Sequence, residues 1–136
     1  MKGLKIGLWV VQVLLAVAFT GAAMMKLTTP YEVLVTQQAW AKLFSPDVVK
    51  LIGAVEVLGA LGLILPSVTR IMPILTPVAA SGLVLTMIGA GATHLRIGEP
   101  PIPNIVLGGL AAFVAWGRFT KAPISPRGAP SVGATA

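Results

Sequence analysis

Cysteine is absent from the 136 residues, and histidine occurs once. The first absence excludes disulfide frameworks, thiol relays, cysteine-ligated iron–sulfur clusters and thiolate zinc sites, so any redox chemistry here must use a bound cofactor. The second excludes a haem held by two histidines of one chain and leaves at most one axial ligand. Charge is scarce as well: charged residues make up 10% and only four are acidic, against 56% hydrophobic residues. With a mean hydropathy of +0.91 the chain is not built for water, and the lipid bilayer is its natural solvent and first partner. Ten Lys and Arg give a formal net charge of +6, but they stand between or beyond apolar runs rather than in one patch. Such spacing fits lipid headgroups and excludes a nucleic-acid surface.

What is abundant is long apolar sequence. Ile6 to Met25 is free of charge and flanked by Lys5 and Lys26. At about 1.5 Å per residue it crosses roughly 30 Å, the thickness of a hydrocarbon core. A cleavable secretory leader is the rival reading of Lys2, Lys5 and the small residues Gly21, Ala22 and Ala23. The run exceeds the roughly 7 to 15 residues of a leader's apolar region, which favours a membrane span. A second span opens at Ser45-Pro46-Asp47, where Ser caps, Pro suits a first turn and Asp complements the positive helix end. It is expected to run to Pro66. The third lies between Arg70 and Arg96, with Pro73 and Pro77 at its start and its end near His94. The fourth, Pro103 to Gly117, is short but is followed by Arg118, and Trp116 with that cation suits an interface.

The expected fold class is therefore an all-α membrane protein, a four-transmembrane-helix bundle over 1–120 with helices at about 6–26, 46–66, 72–95 and 102–118. Between the first two, Thr29-Pro30 begins a segment in which Val33, Trp40, Leu43 and Phe44 fall near one helical face. We expect a short interfacial helix there, either a connector packed on the bundle or a lid over a pocket. The Pro-, Gly- and Ser-rich tail, 121–136, is expected to be disordered. Lys2, Lys5, Arg70, Arg118, Lys121 and Arg127 fall on one side of this topology, and Lys26, Lys42, Lys50 and Arg96 on the other. The excess places both termini in the cytoplasm of a cell that carries the protein in its inner membrane.

Helices in lipid associate through small residues, and Gly53, Gly59, Ala60 and Gly62, then Gly82, Gly89 and Ala90, then Gly108, Ala112 and Ala115 supply them. The same surfaces permit a homo-oligomer. One carboxylate interrupts this pattern. Glu56 stands roughly 9 Å beyond Lys50 along its helix, with Gly53, Gly59 and Ala60 one turn away. A charge at that depth must find a partner, so Glu56 faces another helix. Topology puts Lys26, Glu56 and His94 in one leaflet, with Asn104 opening the fourth helix beside them. Two readings of this cluster stand. A Lys26–Glu56 ion pair can simply specify how helices pack, with His94 bound to a backbone carbonyl. Alternatively, the cluster lines a pocket for a quinone-like molecule, with Glu56 as acceptor or base and His94 as donor. Proton or ion transport is less well served, since the inner half offers only Gln12 and hydroxyls such as Thr76 and Ser81. His94 with Glu56 or Glu99 is too small a set for a metal. No nucleophile constellation or cofactor motif appears, so catalytic residues are unassigned.

Gly21 to Leu27 (GAAMMKL) and Ile52 to Pro66 (IGAVEVLGALGLILP), then Pro77 to Leu83, Met87 to Ala90 and His94-Leu95-Arg96 with Glu99, resemble in order the DoxX-like family of small bacterial membrane proteins. The resemblance covers nearly the whole chain before the tail. It implies a four-helix membrane bundle, with Lys26, Glu56 and His94 at the family's polar positions, and association with oxidoreductase subunits. The family takes its name from a subunit of a quinone-linked, sulfur-oxidising complex, although no residue here identifies a sulfur substrate. Two functions follow from these expectations: a small membrane subunit that binds a quinone-like ligand for a redox complex, or a non-catalytic membrane anchor or assembly factor for a partner protein.

Overall fold

A computed structural model describes residues 2–128. Five α-helices carry the fold: α1 (Lys2–Thr28), α2 (Tyr31–Gln37), α3 (Pro46–Thr69), α4 (Leu75–Arg96) and α5 (Ile102–Trp116). All but α2 are long and apolar enough to cross a membrane, α5 being lengthened by a wider turn, Gly117–Lys121, to a span of 20 residues. That turn is closed by Ala122 N donating to Gly117 O at 2.7 Å. Helix α1 packs on α3, α3 on α4, α4 on α5 and α5 on α1, which closes a four-helix ring. The outside of the ring is apolar: Val17, Leu58, Leu85 and Ile105 are 69%, 68%, 70% and 66% exposed. Such a surface suits lipid and would be untenable in water. Inside, Leu15, Phe19, Leu63, Leu83, Ala111 and Val114 form a buried layer.

The long helices are held by close approach rather than by bulk. A Cβ on Gly59 would stand 2.6 Å from Leu83, and one on Gly62 2.5 Å from Ala79 Cβ, so α3 and α4 touch there through bare backbone. Gly53 serves α1 and Gly108 serves α4 in the same way. Gly82 and Gly89 have no such neighbours and leave open space beside α4.

Helix α3 begins as its sequence dictates, with Ser45 Oγ accepting from Val48 N at 3.3 Å and Pro46 in the first turn. Its far end differs from expectation: the helix passes through buried Pro66 and stops at Arg70, whose φ of 58° turns the chain. Proline lacks the N–H that Gly62 O would otherwise accept. Thr76 Oγ1 donates to that carbonyl instead, at 2.9 Å, which lets the helix continue.

The connector between α1 and α3 is broken rather than continuous. At Gln38 the backbone is extended (φ −129°, ψ 104°), after which Ala39–Leu43 forms a tighter 3₁₀ turn. The break resets the helical register. Leu34 and Ala41 are buried against Val49, with Trp40 and Phe44 beside them, whereas Val33 and Leu43 are each 43% exposed. Residues 129–136 of the tail, expected to be disordered, lie outside the described residues. Ahead of them the chain follows the α3–α4 turn: Arg70 Nε donates to Ser125 O at 2.8 Å, its Nη2 to Pro126 O at 3.2 Å, and Arg127 N to Arg70 O at 2.7 Å.

Candidate functional site

Near the connector face of the bundle, meaning the face opposite the termini, α1 and α3 lie close because Gly53 has no side chain: a Cβ there would meet Lys26 Cβ at 3.1 Å and Ala23 O at 3.2 Å. This proximity sets Lys26, in the last turn of α1, beside Glu56 on α3. Lys26 Nζ lies 2.8 Å from Glu56 Oε1, with the side chains 11% and 3% exposed. The pair is buried, and the ammonium at that distance is the partner of Oε1. Lys26 also donates to Ala22 O at 3.5 Å and stands 5.4 Å from the centre of the Trp40 ring, a cation–π arrangement that ties the connector to the pair.

The other wall comes from α4 and α5. His94 Nδ1 is 3.4 Å from Glu99 Oε2, in the turn that ends α4, which orients the ring. Asn104 Nδ2 points to Met87 Sδ at 3.8 Å, a weak acceptor that leaves most of the amide's capacity free. Lys26, Glu56, His94 and Asn104 all line one cavity of about 600 Å³, together with Phe19 and, from the connector, Trp40 and Phe44. The structure therefore places all four residues around one cleft, in two pairs on facing walls. Chemically the cleft offers an apolar bed, cationic and imidazole donors, and a carboxylate paired with one of those cations. Among the described residues no three metal-ligating side chains gather.

A second polar centre, near the face that carries the termini, joins residues that the sequence presents singly: Gln12 and Thr76 as isolated polar groups and Arg118 as an interfacial cation. Arg118, expected at the interface, is 4% exposed. Its Nε donates to Gln12 Oε1 at 2.7 Å, its Nη1 to Ala122 O at 3.0 Å, and its guanidinium lies 5.5 Å from the centre of the Trp9 ring. Gln12 Nε2 donates to Leu63 O at 2.6 Å and to Ser67 Oγ at 3.3 Å. Ser67 and Thr76 are 2.7 Å apart, and since the Thr76 hydroxyl is spent on Gly62 O, Ser67 is the donor. One directed chain thus runs from Arg118 to the carbonyl that Pro66 frees. A signal for it exists: Gln12 falls on the same stripe of α1 as Leu8, Leu15, Phe19 and Ala23, all buried. A polar residue in register with a core stripe implies a buried partner.

These features define a class: a small four-helix membrane protein with a lipophilic cleft between two helix pairs, entered by charged and amide side chains. Residues 10–117 match the family model of the DoxX-like family, and the chain belongs to that family. All four cleft residues lie inside the match, while Arg118 lies one position beyond it. No curated protein and no solved structure shows significant similarity to the chain.

Proposed function

We propose that this DoxX-like protein is a small subunit of the bacterial inner membrane that binds a quinone-like or other lipophilic ligand in the Lys26–Glu56–His94–Asn104 cleft, in support of a redox complex. The observation that carries this reading is the cleft of about 600 Å³ between the α1–α3 and α4–α5 walls, mostly apolar, on which those four polar side chains converge. That volume and composition suit a ring-sized ligand positioned by a few hydrogen bonds. His94 and Lys26 are the donors for a ligand carbonyl, and the Glu56 carboxylate the acceptor for a ligand hydroxyl. Both termini are assigned to the cytoplasm on the excess of cations at their face. The cleft then opens in the outer leaflet.

The second reading, a non-catalytic anchor or assembly factor, is favoured by one observation: Lys26 and Glu56 already neutralise each other at 2.8 Å. Native mass spectrometry of the gently solubilised protein beside Glu56→Gln separates the two. A small molecule bound to the native chain and lost in the variant is the expected result. A copurifying protein with no small molecule in either form would overturn the ligand reading and leave the anchor.

A further inference from the structure

Arg118 is a buried cation in a region that, among the described residues, has no carboxylate. The chain has four acidic side chains. Glu32 lies in the connector, Asp47 at the start of α3, Glu99 in the α4–α5 turn, and Glu56 is paired with Lys26. All four belong to the connector half of the molecule. The termini face holds Lys2, Lys5, Arg70, Arg118, Lys121 and Arg127 and none of them. The other five are solvent-exposed, so water and counterions serve them. Arg118, at 4% exposure, meets solvent only where it lines a cavity of this face. Gln12 Oε1 and Ala122 O satisfy two of its nitrogens, but both acceptors are neutral, and Nη2 is buried with no partner at all. Neutral acceptors fill hydrogen bonds without cancelling charge, and an uncompensated charge kept from water costs several kcal/mol.

Beside this guanidinium is a second, half-open cavity of about 290 Å³, lined by the Met72–Ile74 turn and by Pro123, Ile124 and Pro126. Among the described residues, Arg118 is the one charged residue that lines it. At about 30 Å³ per water the space equals roughly ten waters, enough for a phosphate and the glycerol unit attached to it. Around it Ile71, Met72 and Ile74 are 59%, 61% and 52% exposed, an apolar apron between the ends of the α3 and α4 spans. We propose that this cavity is a binding site for one acidic phospholipid, whose phosphate pairs with the Arg118 guanidinium while its upper acyl segments lie on the Ile71–Ile74 turn. A lipid supplies both halves of what the site lacks, an anion for the buried charge and cover for the apolar turn. A free anion supplies only the first. The α3–α4 turn and the segment after α5, cross-linked by Arg70 to Ser125 and Pro126, form the walls and hold the cavity's shape.

The test uses the full chain in mild detergent. Retention of phosphatidylglycerol, phosphatidylcholine and inorganic phosphate is read by native mass spectrometry, with melting midpoints recorded for every variant. The native chain is expected to retain one phosphatidylglycerol in preference to phosphatidylcholine. Arg118→Gln should weaken that retention about thirtyfold. Ile124→Trp, which fills the cavity and leaves the guanidinium in place, should weaken it comparably and decides the matter if Arg118→Gln does not fold. Lys121→Gln removes an exposed cation of the same face and should change retention less than about fivefold. Equal retention of both lipids, or an equal loss in Lys121→Gln and Arg118→Gln, would overturn the site. Inorganic phosphate that binds as tightly as the lipid would assign the cavity to a free anion and overturn the lipid.

Discussion

Glu56 and Ser67 stand on the same helix, roughly 16 Å apart along its axis, and mark two polar centres separated by the apolar layer of Leu15, Phe19, Ala60, Leu63 and Leu83. The two are built by opposite rules. At the termini face every hydrogen of Gln12, Ser67 and Thr76 that the fold buries goes to an acceptor of the protein itself, and the side chains fill the space between the helices. At the connector face an ion pair, an imidazole and an amide border a cavity that protein atoms do not fill. A bilayer offers polar groups nothing, so a group that the protein leaves facing a cavity must be served by something that enters it. The contrast makes the Gln12–Ser67–Thr76 chain architecture and supports the proposal of a ligand at the connector face, and it can be broken by mutation.

The largest effect is expected at Gln12. Gln12→Leu keeps the volume but orphans Arg118 Nε and takes from Leu63 O and Ser67 Oγ the amide hydrogens they accept. Interhelical hydrogen bonds in membranes are individually weak, averaging about 0.6 kcal/mol, but leaving several groups unpaired around a charge adds to that. A loss of about 2–3 kcal/mol is expected in reversible unfolding from mixed micelles. A loss no larger than that of Glu56→Gln would erase the distinction between the centres.

Next come the glycines, where one residue type has two meanings. Gly62→Ala puts a methyl 2.5 Å from Ala79 Cβ, so α3 and α4 must separate, at about 1–3 kcal/mol. Gly89→Ala meets nothing within 4 Å and should be neutral or stabilising by a few tenths of a kcal/mol through helix propensity. Melting of the two variants side by side checks the difference. Equal losses would mean that α4 packs along its whole length and that the cleft beside Gly89 is closed in the membrane.

The glycines also show how far sequence reasoning reaches. Small residues every three or four positions announce helix contact, but the spacing alone does not tell Gly62, which touches a helix, from Gly89, which borders a cavity. The four spans and the start of α3 were legible because hydropathy and the Ser45-Pro46 cap are local signals. Pro66 was misleading because its cost depends on a residue ten positions away: Thr76 takes the carbonyl that proline frees. Gln38 was invisible because one extended residue shifts the face of everything after it. Of the two polar centres, the one with an acid was easier to see. An isolated carboxylate in an apolar helix demands a partner, whereas Arg118 at the end of a span passes for an ordinary interfacial cation until Gln12 is noticed on the core stripe of α1.

Glu56→Gln should cost only about 1 kcal/mol, although it breaks a buried ion pair. Removing one member of such a pair in a water-soluble core is far more damaging, because the survivor has nowhere to go. Here the survivor is Lys26, in the last turn of α1, whose flexible stem can carry the ammonium toward the interface, and the glutamine can still donate or accept in the cleft. The same variant should nonetheless abolish ligand retention, since it removes the carboxylate. Unfolding in micelles paired with native mass spectrometry reads both quantities. A large stability loss with unchanged ligand content would make Glu56 architecture after all.

The smallest effect, and the sharpest test of the open centre, is expected at Trp40. Its ring lies against Lys26 at 5.4 Å and lines the cleft from the connector, beyond the break at Gln38. Trp40→Leu keeps apolar cover but removes the cation–π contact, worth about 0.5–1 kcal/mol where the cation is partly hydrated. Most of even that is recoverable by Lys26 turning outward, so the melting midpoint should scarcely move. If Trp40 closes the cleft, a bound lipophile should instead leave faster, because the leucine covers less area and no longer holds the connector to the ion pair. Dissociation measured by exchange of bound ligand into empty micelles, with stability unchanged, would show the connector to be a lid. An unchanged exit rate would make it a packed strap, and would send the ligand's path sideways between α3 and α4, where Leu51, Val55, Leu85 and Gly89 border the cleft and face the lipid.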